Sequence, residues 1–146
     1  MGKEREKILL QKLELDSVGE SLTLLERIKR LSGITVILAI SEGLRATGGA
    51  MAKTMLEAIS KSDNYARARF YWFNVDQGAE LYAGLSMGGV PSLIILKDGK
   101  EVTFTKARFS GAISRDTVLS ALDIIMDPAR SLPAEPENVQ LVASQP

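Results

Sequence analysis

The run Ile34-Thr-Val-Ile-Leu-Ala-Ile40 constrains this chain more than any other segment. It is β-branched and almost wholly apolar, so as a strand it has no face suited to water. Such a strand must be covered on both sides, which calls for a layered α/β arrangement. Arg69 to Val75 (RFYWFNV) is a second strand of this kind, rich in aromatics. Ser92 to Leu96 is a third. Phe70, Tyr71, Trp72 and Phe73 are better explained by a buried central strand than by a stacking surface for single-stranded nucleic acid.

Helical patterns separate these strands. Leu22, Leu25, Ile28 and Leu31 follow a near-helical period after a capping Asp16 or Ser17, and Gly33 stops that helix. Ser41 to Gly49 reads as a loop. It opens into a helix with Met51, Met55 and Ile59 along one edge and Ala52 and Leu56 beside it. Ala79 to Leu85 predicts a short helix, closed by Gly88 and Gly89. Lys97-Asp98-Gly99-Lys100 is a hairpin turn, and Glu101 to Phe109 alternates as the antiparallel partner. Lys97, Lys100, Lys106 and Arg108 mark that hairpin as a solvated edge. Ser114 caps a last helix whose Val118, Leu119, Leu122, Ile125 and Met126 face inward, with Asp123 toward solvent, and Pro128 ends it. Parallel strands joined by helices suit the first half and an antiparallel hairpin the second. The expected class is α/β, a mixed sheet with helices on both faces.

The expected organisation is one domain over 17–127, preceded by an extension, 1–16, that reads equally as strand or helix. Residues 128–146 follow as a flexible tail holding four of the five prolines. Met1 to Lys7 is mostly charged, and Ile34 to Ile40 is far too short to span a bilayer. The expected setting is the cytoplasm, with no membrane partner.

The absences narrow the chemistry. These 146 residues contain no cysteine and no histidine. Thiolate catalysis, disulfides, iron–sulfur clusters and thiolate zinc sites are excluded, and so are the commonest general base and transition-metal ligand. The expectation is no metal, no cofactor and no catalytic residue. A formal net charge of zero argues against nucleic acid as a partner.

Asn74-Val75-Asp76-Gln77, then Gly89-Val90-Pro91-Ser92-Leu93-Ile94-Ile95-Leu96 and Lys97-Asp98-Gly99, resembles the thioredoxin-like superfamily's "N-[IV]-D … G-[IV]-P-T-L … K-[ND]-G" run, without a gap. Gly111-Ala112-Ile113-Ser114 is similar to that family's entry to its last helix. The resemblance spans roughly residues 17 to 127 and implies a thioredoxin-like fold with a cis peptide bond before Pro91; a trans proline opening a strand is the alternative reading. It aligns the family's Cys-x-x-Cys with Ala46-Thr47-Gly48-Gly49, its buried acid near Ile40 and its buried lysine near Trp72. A degenerate, cysteine-free member that is not a disulfide oxidoreductase is therefore implied.

Two uses of the surviving loops follow. The groove beside the proline, expected at Thr47, Gly48, Gly49, Val90, Pro91 and Gly111, holds extended peptides in the family and needs no thiol. That suits a non-catalytic protein-binding module: an assembly factor, a chaperone-like binder or a subunit of a complex. The alternative is an enzyme or sensor binding a small anion at Arg45, Thr47, Gly48 and Gly49, where a helix start favours negative charge. The same residues are also explained by Thr47 acting as an ordinary N-cap.

Overall fold

The computed structural model describes residues 10–13, 18–43 and 48–127. Expectations for the rest of the N-terminal extension, the capping Asp16 or Ser17, Arg45, Thr47 and the tail lie outside them. The elements are β1 (Gln11–Lys12), α1 (Val18–Ile28), β2 (Ile34–Ile40), α2 (Gly49–Ser60), β3 (Ala68–Asn74), α3 (Ala79–Gly84), β4 (Ser92–Lys97), β5 (Lys100–Glu101), β6 (Arg108–Ser110) and α4 (Arg115–Met126). A 3-10 turn at Asp63–Tyr65 leads into β3.

β2 is central because it can be. All seven of its residues are buried, so it accepts neighbours on both edges and helices on both faces. It pairs parallel with β3 and antiparallel with β4, within the order β1-β3-β2-β4-β5; β6 pairs β4 beside β5. Side chains alternate across it. Val36, Leu38 and Ile40 join Leu56 and Ile59 of α2 and Val118, Leu122 and Ile125 of α4 in one core. Ile37 and Ala39 join Ile28 of α1 and Leu81 of α3 in the other. The mixed sheet with helices on both faces is the expected class.

Two expectations need correction, and a third is extended. Leu22 is 51% exposed, and Leu24, Leu25 and Ile28 form the packed stripe of α1. Six residues carry a helix round to about 120° from its starting face, so Leu22 and Ile28 cannot share a narrow stripe. The segment Glu101 to Phe109 is two short strands, not one. Between them Val102 and Ala107 turn inward while Phe104 stands 44% exposed, and the ladder resumes where the Ile95 amide donates to the Ala107 carbonyl at 2.8 Å. Arg108 lies on the edge strand and is partly exposed, but it is also tied down by hydrogen bonds. Its Nε donates to both Glu101 oxygens at 2.9 Å, and its terminal nitrogens donate to the Ser86 and Leu85 carbonyls at 2.8 Å.

The Asp98-Gly99 turn adopts φ values of 54° and 81°, the left-handed geometry such a hairpin demands. It is also tied to the loop before β2. The Gly33 amide donates to Asp98 Oδ1 and the Asp98 amide to the Gly33 carbonyl, each at 2.8 Å. A Cβ at Gly99 would lie 2.0 Å from the Lys29 carbonyl oxygen, so close approach as well as turn geometry requires glycine there.

Candidate functional site

Three loops meet at the end of the sheet where β2 leads to α2. Gly48, with φ 82° and ψ 10°, is the N-cap of α2 and brings no side chain to cap that helix. This corrects the reading of Thr47 as N-cap: a left-handed glycine turns the chain into the helix, so the helix begins one residue later. The second loop carries Val90-Pro91, whose peptide bond is cis. The third is Gly111 to Ser114, where the Ser114 carbonyl accepts from the Val118 amide and the Thr117 hydroxyl while its own hydroxyl caps nothing.

Between them lies a cleft of about 610 Å³, lined by Gly48, Pro91 and residues 111–114, with Met51, Ala52 and Met55 from α2. Among the described residues, no lining side chain is ionisable. Met51 is 79% exposed at its mouth. Met55 and Ile113 rest on the underlying core. Of the residues expected here, Gly48, Pro91 and Gly111 line the cleft, and Val90 flanks it. Gly49 faces a different cavity, and Thr47 lies outside the described residues.

The proline loop is held firmly from behind. Tyr82 Oη donates to the Gly89 carbonyl at 2.8 Å, the Met87 amide to the Tyr82 carbonyl at 3.1 Å, and the Gly111 amide to the Pro91 carbonyl at 3.0 Å. Arg108 secures the carbonyls of Leu85 and Ser86 just before it. Among the described residues, however, neither the amide nor the carbonyl of Val90 has a hydrogen-bond partner. Among the described residues, Val90 thus leaves a main-chain donor and acceptor unpaired beside the cleft, as do Ala112 and Ile113, which line it.

The second cavity, of about 500 Å³, is lined by Ile40, Ser41, Glu42, Gly49, Ala50, Lys53 and Thr54. Glu42 lines this cavity along with Lys53, and its carboxylate opposes any anion the lysine attracts. The loop is fixed by Asp76, which accepts from the Ser41 hydroxyl at 3.0 and 3.1 Å and from the Gly43 amide at 3.2 Å. Asn74 adds to it, accepting from the Glu42 and Asp76 amides and donating to the Glu42 carboxylate. The Asn-x-Asp motif thereby fastens the ends of β2 and β3.

Where the resemblance puts a buried acid and a buried lysine stand Ile40 and Trp72, 4% and 6% exposed. Lys53 Nζ lies 4.0 Å from the Trp72 ring centroid and Lys12 Nζ 5.1 Å, so cations remain near this position without any acid to serve. Sequence reasoning missed this pairing, and missed Met51, Met55, Ala112, Ile113 and Ser114 as lining. The only signal was two methionines four residues apart at the helix start, which an inward-facing edge explains as well. Among the described residues, no group of His, Cys, Asp or Glu side chains could hold a metal ion. None of their helices is long and apolar enough to cross a membrane.

The geometry defines a thioredoxin fold, and solved structures agree. The chain is similar to a thioredoxin from Nicotiana alata, NaTrxh, at 20% identity and TM-score 0.61, over 83% of this chain and 96% of that one. It is similar to a Malassezia sympodialis thioredoxin at 14% identity and TM-score 0.62, over 90% and 100%. A Fasciola hepatica thioredoxin shares 25% identity at TM-score 0.55, over 75% and 94%. No protein-family model and no curated protein matches the chain. With no cysteine in its sequence, it is a thioredoxin-like chain that lacks the Cys-x-x-Cys motif.

Proposed function

We propose that this chain is a non-redox protein-interaction module, acting as an assembly factor, chaperone-like binder or subunit of a complex. It holds an extended segment of another protein in the cleft between Met51, Pro91 and Ile113. The observation that carries this reading is that, among the described residues, the Val90 main chain is unpaired beside a cleft whose lining carries no charge. An extended segment adds two hydrogen bonds there, each worth about 0.5–1.5 kcal/mol net. That is too little for useful affinity, so apolar side chains in the cleft must supply the rest, at about 1.5–3 kcal/mol for each one fully buried. Methionines suit the task, because their flexible side chains fit varied partners.

Photo-methionine incorporation tests it directly. With all five methionines replaced, partner adducts should concentrate at positions 51 and 55. Met51→Asp should abolish capture of the same partner and leave the melting temperature nearly unchanged, since that side chain is 79% exposed. Adducts confined to positions 87 and 126, or undiminished capture by Met51→Asp, would overturn the assignment.

A further inference from the structure

We infer that the cleft has an internal competitor, the segment Val139-Gln140-Leu141-Val142 of the chain's own C-terminal region. This rests on the reading that the cleft takes an extended apolar strand beside Val90, and it supplies that site's regulation. The chemistry of the cleft selects the occupant. Its described lining is uncharged and mainly apolar, and the unpaired main-chain groups of Val90 beside it and of Ala112 and Ile113 within it suit an extended backbone. Beyond residue 127, Val139 to Val142 is the one stretch with three apolar residues in four, two of them β-branched. Leu132 apart, residues 128–138 before it are polar, small or proline.

Reach is sufficient. Ser114, at the start of α4, lines the cleft, and the chain leaves α4 at Met126, twelve residues further on. That helix is about 18 Å long. Residues 128–138 span up to about 36 Å when extended, so the segment can return along α4 with slack. The other terminal segment, 1–9, joins at Leu10 beside β1, the far edge of the sheet from β4 and Pro91. A tethered strand also needs little affinity of its own. A tether of this length gives an effective concentration of about a millimolar, so a segment that binds at millimolar strength when free fills the cleft about half the time. It then weakens an outside partner about twofold and yields readily to a better one.

The test uses the full chain with its methionine methyl groups carbon-13 labelled. Leu141→Asp should shift the Met51 and Met55 resonances and leave the buried Met87 where it was. A synthetic peptide of residues 136–144 should then move those two resonances back toward their wild-type positions. It should bind the Leu141→Asp chain at least twofold more tightly than the wild type. Unchanged Met51 and Met55 resonances, or equal peptide affinity for the two chains, would eliminate the internal competitor. Neither result bears on the cleft as a partner site, which stands or falls on the photo-methionine adducts.

Discussion

Arg108 shows how one side chain serves the site without touching it. Its guanidinium joins the Glu101 carboxylate to the Leu85 and Ser86 carbonyls just past α3, directly behind the proline loop. Arg108→Met keeps much of the length but leaves those acceptors unsatisfied. We expect a loss of about 1–3 kcal/mol in urea unfolding. Glu101→Gln should cost less, because that pair is partly exposed and screened. Tyr65 offers a pH-dependent counterpart. Burial, and then its hydrogen bond to Asp123 at 2.8 Å, raise its phenol above the usual value of 10.0. The folded state therefore holds this proton more tightly than the unfolded chain. Its contribution is complete below pH 10 and is lost as pH climbs through the raised value. Tyr65→Phe should cost about 0.5–1.5 kcal/mol at pH 7, and the difference from wild type should stay flat to about pH 10 and then shrink. A difference that grows above pH 10 would contradict the assignment. Asp123 is exposed as its place on α4 suggests, yet this bond means its removal is not neutral. Sequence periodicity reports which face a residue occupies but not what a long polar side chain reaches.

Elements dominated by backbone geometry were the most legible. Ile34–Ile40 coincides with β2, Ser92–Lys97 exceeds its expected span by one residue, and Asp98-Gly99 makes the turn its type requires. Here local chemistry and the fold agree, because a strand buried on both faces and a glycine turn leave few alternatives. Gly99→Ala should therefore destabilise the hairpin by about 1–3 kcal/mol, the cost of a left-handed non-glycine residue, with the Lys29 carbonyl adding to it. An unchanged urea midpoint would show that the turn relaxes away from α1. The broken strand after Glu101 was not legible. Val102, Phe104 and the residues around them alternate as a strand should, and only tertiary packing draws Val102 and Ala107 inward. The cleft was half legible for a related reason. Gly48, Pro91 and Gly111 are marked by backbone demands, whereas Met51 and Ile113 line it because of where α2 and α4 happen to sit.

At the scale of the molecule, the sheet and both helical layers have the thioredoxin arrangement, and the sequence contains no cysteine to carry thiol chemistry. Ile40 and Trp72 are buried apolar side chains here, which makes this core simpler to bury than one holding ionisable groups. The melting temperature should accordingly be identical with and without dithiothreitol, and insulin reduction by the purified chain should be nil. Measurable turnover would refute a cysteine-free account outright. The central claim is that Val90's main chain receives a partner strand beside the cleft. Amide hydrogen exchange at Val90, compared for the free chain and for the chain saturated with its captured partner, tests that claim most directly. Pairing predicts slowing of at least tenfold at Val90, with little change at Gln11 and Lys12 on the far edge of the sheet. Unchanged exchange at Val90, with protection appearing at that far edge instead, would contradict it.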